Sequence, residues 1–311
     1  MPIQSLNKQS LTNFIKAQAK DIGFFDCGVS KAEYLENDAQ KMEHWLSIGN
    51  NGEMGYLERN KEKRYNPALL VDNAKSVITV LYNYYPSQQL PENDNFNISK
   101  YAYGTDYHYI IKDKLKELLT EIEEKTGHRD ARVFVDSAPV LDRAWARKSG
   151  LGFIGKNTLL INKKGGSFFF IGHIIIDLEL HYEDSNDPKN YCGTCTKCID
   201  ACPTNALKEN QLDARSCISY LTIEYRGELP QNLKGKFNNW MFGCDICQDV
   251  CPWNRFSTSH NEPLFEPNEE LKKMTKFQWE ELDKPQFNKL FKNSAVKRTS
   301  FKGLKRNIEF Q

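Results

Sequence analysis

Cysteine spacing constrains this 311-residue chain more than any other feature. Cys192-x2-Cys195-x2-Cys198-x3-Cys202-Pro203 is followed downstream by Cys244-x2-Cys247-x3-Cys251-Pro252. The first run has the spacing of bacterial ferredoxins. Three thiolates two residues apart wrap one iron–sulfur cube in a tight loop, and the fourth, followed by proline, points away to a neighbouring cube. The second run lacks its first cysteine; Met241 stands there. The two runs thus supply seven of the eight thiolates that two cubes need, and Cys217, between them, is the natural eighth. Crossed ligation gives one [4Fe–4S] cluster to Cys192, Cys195, Cys198 and Cys251, and the second to Cys202, Cys217, Cys244 and Cys247. Zinc knuckles would not produce this rhythm twice. Disulfides need an oxidising compartment. Cys27 is left over and reads as a buried core thiol.

Upstream of the cysteines the chain alternates helical and strand patterns. Helices are expected over residues 5–21, 32–46, 112–125 and 140–149; strands over 22–29, 76–82, 131–135 and 168–180. This predicts an α+β chain: a catalytic domain over 1–183, a double-cluster ferredoxin-like domain over 184–260, and a basic helical segment over 261–311. Residues 183–190 read as a linker. With no apolar run of about 18 residues and no basic-then-apolar start, the expectation is a cytoplasmic protein, without membrane association and monomeric.

Net charge is +1, but residues 284–306 hold eight basic side chains and no acidic one: Lys284, Lys289, Lys292, Lys297, Arg298, Lys302, Lys305 and Arg306. They form either a solvated face or a surface for a polyanion such as RNA. Asp136 closes the 131–135 strand. A carboxylate there is either a turn residue or a proton donor whose pKa burial has raised. Gly150 to Thr158 is glycine-rich around Lys156, but Asn157 and the glycine spacing depart from the P-loop pattern.

Five motifs carry a resemblance: VDSAPVLDRAWA (135–146), GLGFIGKNTLLI (150–161), CGTCTKCIDACPTNAL (192–207), RSCISYLTIE (215–224) and FGCDICQDVCPWN (242–254). In this order they resemble the epoxyqueuosine reductases, and the likeness runs from about residue 10 to SAVKRTSFKGLKRNI (294–308). The resemblance implies a nitroreductase-like domain that holds cobalamin beside the two clusters, a core shared with reductive dehalogenases. It implies reduction of epoxyqueuosine to queuosine in tRNA, the last step of queuosine synthesis, fed by a low-potential electron donor. It makes Asp136 the general acid, kept neutral by burial, and places Arg59, Asp136, Lys156, Asn157, Ser219 and Asp245 near the corrin. Arg143 and His108 read either as pocket residues or as surface and packing residues. The family often has YARG where this chain has Tyr101-Ala102-Tyr103-Gly104, and many members continue into a helical-repeat tail past the point where this chain ends, at Gln311. Two other functions compete: a reductive dehalogenase, and an electron carrier without a substrate, which would need neither the large first domain nor an acid.

Overall fold

The computed structural model describes residues 7–91, 93–182 and 189–311. Of the expected linker, residues 183–188 lie outside the described residues. The chain is α+β. Its central element is a four-stranded sheet in the order Asp26–Lys31, Ser76–Asn83, Phe169–Ile176, Ala131–Phe134, with every pair antiparallel. Val77, Ile78, Val80 and Leu81 are fully buried, because helices cover both sheet faces and a strand covered twice is apolar throughout. On one face Leu11, Ile15 and Ala19 of helix Lys8–Asp21 pack with Ile111, Leu115, Leu118 and Ile122 of helix Tyr107–Thr126. On the other, Ala144 and Trp145 of helix Asp142–Lys148 meet Val77, Phe134 and Ile175. Each such side chain contributes about 1.5–3 kcal/mol on burial. Gly28 lets that helix close on the sheet: a Cβ there would stand 2.1 Å from the Ser149 carbonyl oxygen.

Among the boundaries that differ from the sequence expectation, two have clear local reasons. The first strand begins at Asp26, because Gly23 (φ +102°) closes the preceding helix, with Phe24 N–H bonded to the Ala19 carbonyl at 2.9 Å. The helix expected from residue 112 begins at Tyr107, where the Asp106 side chain accepts from His108 N–H. That early start puts Tyr107 and His108 in the helix's first turn.

A second core joins distant parts of the chain. Strand Trp240–Phe242 pairs in parallel with Asn97–Ile98. Against them pack Leu271, Trp279, Phe287, Phe291, Leu304 and Ile308 from the C-terminal helices. Met241, at the position of the missing cysteine, is fully buried there, and its carbonyl accepts from Asn307 at 2.9 Å. The chain therefore uses this position for packing and not for a ligand.

Candidate active site and iron–sulfur centre

All nine cysteines are free thiols. Cys192, Cys195, Cys198 and Cys251 line one cavity of about 240 Å³, together with Lys156 and Asn157. Burial and two neighbours, Cys192 and Cys251, push the Cys198 thiol up; burial with Cys192 and Cys195 does so for Cys251. In the other group, burial followed by Cys217 and Cys247 raises Cys244, and burial with Cys202 raises Cys217. Cys192, Cys195, Cys198 and Cys251 thus share one cavity, while Cys202, Cys217, Cys244 and Cys247 lie outside its lining. The groups adjoin, since Cys198 also acts on Cys247. All eight thiols are half-buried. Iron takes them as thiolates, so the donor set fits two cubes.

Cys217 reaches its quartet from outside the ferredoxin runs. It caps helix Ile218–Ile223, whose Ile218 and Leu221 anchor it in a core with Phe237 and Trp240. The Ala214 amide binds the Asn50 carbonyl at 2.9 Å, which ties this loop to the first half of the chain.

Asp136 sits just past strand Ala131–Phe134, with φ at +46°. Ser137 N–H bonds the Val135 carbonyl at 2.5 Å, so Asp136 is the middle of a γ-turn, in the rarer, left-handed form. Backbone strain of this kind points to a functional constraint. The Tyr107 hydroxyl donates to Asp136 Oδ2 at 2.7 Å, and His108 Nε2 lies 3.6 Å from the same oxygen. His108 Nδ1 is 2.7 Å from Asp106 Oδ1. Tyr107 is stacked between the His108 ring at 4.2 Å and Phe170 at 4.1 Å.

The electrostatics reverse one expectation. Burial does push the Asp136 carboxyl up, but His108, Tyr107 and the charge of Arg298 outweigh it and hold the group below the usual carboxylate range. His108 moves the opposite way. Burial disfavours its charge, yet Asp106 and Asp136 lift it to about 9. At neutral pH the pair therefore rests as imidazolium and carboxylate, with the proton on His108.

Asp136 and Arg143 share a further property. Protein around them desolvates both, yet the Asp136 side chain is 65% open and Arg143 is exposed. Both side chains thus reach solvent from partly enclosed positions. Arg143 binds the Thr158 carbonyl there at 2.5 Å.

The other expected residues are distributed unevenly. Lys156 is buried, its amide 3.5 Å from Cys192 Sγ and its ammonium 3.3 Å from Glu209. Asn157 donates to the Cys247 carbonyl at 3.2 Å. The glycine-rich hairpin therefore touches both cysteine groups. Asp245 is buried, accepting from the Lys100 amide at 2.8 Å with the Lys100 ammonium 3.7 Å away; that ammonium binds Asp249 at 2.8 Å. Ser219 is half-buried, two residues past Cys217. Arg59 is exposed, and no hydrogen bond or ion pair joins it to the other five among the described residues. Tyr107, Lys100 and Asp106 were not anticipated from the sequence. The one available signal was Asp106 two residues before His108 at a helix start.

Comparison with known proteins decides among the alternatives. Residues 64–137 match the family model "Epoxyqueuosine reductase QueG, DUF1730", and residues 191–254 match "4Fe-4S double cluster binding domain". The chain is 54% identical over 304 residues to the epoxyqueuosine reductase of Cellulophaga algicola, covering 97% of this chain and 98% of that one. The chain belongs to the epoxyqueuosine reductase family. A second such reductase, from Cyclobacterium marinum, is 54% identical over 301 residues, covering 96% of each chain. Among solved structures, a selenomethionine-labelled epoxyqueuosine reductase superposes with a TM-score of 0.87 at 29% identity, covering 96% of this chain and 80% of that one. Another, bound to an epoxyqueuosine-modified tRNA-Tyr stem loop, gives 0.86 at 30%, with the same coverage. A Bacillus subtilis epoxyqueuosine reductase, with its catalytic aspartate loop described as swung out of the active site, gives 0.83 at 29%, again with 96% and 80% covered. A reductive dehalogenase shares the fold at a TM-score of 0.51 and 17% identity, covering 97% of this chain and 38% of that one. As an epoxyqueuosine reductase, the chain is an oxidoreductase and more than an electron carrier. No helix among the described residues is long and apolar enough to cross a membrane.

Proposed function

We propose that this chain reduces epoxyqueuosine to queuosine in tRNA, in the cytoplasm, with cobalamin over Asp136 and two [4Fe–4S] clusters fed by a low-potential donor. The observation that carries the residue-level reading is the His108–Asp136–Tyr107 group, with the Asp136 side chain open to solvent. Cobalamin, when bound, supplies a strongly reducing cobalt centre for opening the epoxide; Asp136, Lys156, Asn157, Ser219, Asp245 and Arg59 are the residues proposed to hold it. The chain's own residues supply the proton. With substrate and cofactor bound, the His108–Asp136 ion pair would lose its contact with water, and an ion pair deprived of water is costly. The proton on His108 Nε2 then shifts to Asp136 Oδ2, because the neutral pair is favoured in low dielectric. Asp136 is then the neutral acid that delivers one of the two protons with which the epoxide oxygen leaves as water, solvent giving the other and the low-potential donor the two electrons, and Tyr107 holds the carboxyl in place. Neutrality thus comes from ligand binding, not from the resting fold.

The relative solved with a tRNA stem loop supports RNA as the substrate carrier. Of the basic segment, Lys284, Lys292, Lys297 and Lys302 are exposed and make no ion pair among the described residues. Arg298 instead grips Glu224 at 2.7 and 2.9 Å, and Arg306 binds the carbonyls of Leu221, Tyr225 and Gly227. The lysines are the proposed phosphate contacts. The test is incubation of the reconstituted protein with epoxyqueuosine-containing tRNA and a low-potential reductant, followed by nucleoside mass analysis. Queuosine should appear, and its absence with both clusters and cobalamin loaded would sink the proposal.

A further inference from the structure

Beside Cys244 and Cys247 lies the buried Lys100–Asp245 pair. The quartet of Cys192, Cys195, Cys198 and Cys251 lines a cavity rimmed by Tyr191, Trp253 and Arg255. Tyr191 is 41% exposed and Phe256 39%, unusual for large rings. Trp253 links them, at 6.4 Å from Tyr191 and 6.0 Å from Phe256.

Cations cover the same rings. Lys163 Nζ stands 3.7 Å above Tyr191, and the Arg255 guanidinium lies 4.3 Å from Phe256. Lys189 also acts on the Tyr191 hydroxyl. These three cations are exposed and make no ion pair with any described residue. All three stand beside the cavity that Cys192, Cys195, Cys198 and Cys251 line.

We infer that this aromatic and cationic rim is the docking surface of a small acidic electron-carrier protein that delivers low-potential electrons to the Cys192/Cys195/Cys198/Cys251 cluster. The inference rests on the proposed reading of two clusters supplied from outside. Exposed rings give a transient partner apolar area near the cluster, and the surrounding cations raise its association rate by steering. One electron per encounter passes from the reduced carrier to the oxidised cluster; no atom is transferred.

The experiment is stopped-flow bleaching of the reconstituted chain's cluster absorbance by reduced acidic flavodoxin and, separately, by a reduced acidic ferredoxin. The variants are Lys163→Glu/Lys189→Glu and Phe256→Ala, with Lys41→Glu on helix Glu36–Ser47 as a charge reversal away from the rim. The double variant should lower the second-order rate for both carriers at least tenfold at low salt and flatten its salt dependence. Phe256→Ala should raise the dissociation constant of oxidised flavodoxin, read by calorimetry. Reduced methyl viologen, a small cation, should reduce every variant at least as fast as the parent. Equal carrier rates in parent and both rim variants overturn the inference, as does an equal loss in Lys41→Glu. The readout needs no tRNA, so a rim-dependent rate in a chain inactive on epoxyqueuosine would refute only the substrate reading.

Discussion

His108→Gln tests the proton-supply argument most directly. In the parent, the imidazolium lies 2.7 Å from Asp106 and 3.6 Å from Asp136. Burial opposes the charge, but the two carboxylates prevail and lift the imidazole from 6.5 to about 9. At about 1.36 kcal/mol per pH unit this corresponds to roughly 3 kcal/mol of stabilisation. The His108 side chain is 24% exposed, so water screens part of it, and this is an upper figure. The sign follows from the upward shift: the contribution is complete below pH 6.5 and vanishes as pH rises through about 9. Denaturant unfolding of reconstituted parent and variant at pH 6 and pH 9.5 isolates it, because terms from the clusters are common to both and cancel in the difference. The variant should be less stable by up to about 3 kcal/mol at pH 6 and nearly equal at pH 9.5. Turnover should fall by about 10²-fold or more, as for loss of a positioned proton donor, and the alkaline limb near pH 9 should disappear. A parent–variant gap of equal size at both pH values would refute the reasoning, since only a titrating charge makes that gap pH-dependent.

Four further outcomes are expected. Asp136→Asn should retain iron and cobalamin while turnover drops by about 10²–10⁴-fold; wild-type turnover would remove it as the acid. Cys217→Ser should leave roughly four irons per chain in place of eight, and an unchanged iron content by colorimetric assay would mean another eighth ligand. Lys297→Glu/Lys302→Glu should weaken tRNA binding in filter assays and reduce the slope of log affinity against log salt by about two; an unchanged slope would place the RNA elsewhere. Lys100→Met leaves Asp245 and Asp249 without their buried partner, at a cost of about 3–5 kcal/mol, and should preferentially lower occupancy of the Cys202/Cys217/Cys244/Cys247 cluster. Unaltered unfolding and iron content would show that the ion pair does not support this cluster.

The cysteine spacing and the ordered motifs by themselves determined the double-cluster domain and the α+β class, and they nominated the eight ligands and Asp136 as a candidate acid. Ligand spacing is legible because a cube fixes the distances between sulfurs and a tight loop fixes those between residues. Sheet strands were legible because burial on both faces leaves a continuous apolar run, as in Ser76–Asn83. Only the tertiary structure decided the rest. Met241 carries no mark of burial in its sequence; pairing of Trp240–Phe242 with Asn97–Ile98 puts it there. The charge state of Asp136 was also illegible. It depends on a helix that starts five residues early, bringing Tyr107 and His108 to a carboxylate some thirty positions away. Arg298, counted with the free basic residues, became Glu224's partner. Pattern records which residues must share a loop or a face; a pKa depends on charges that only folding brings within a few ångströms.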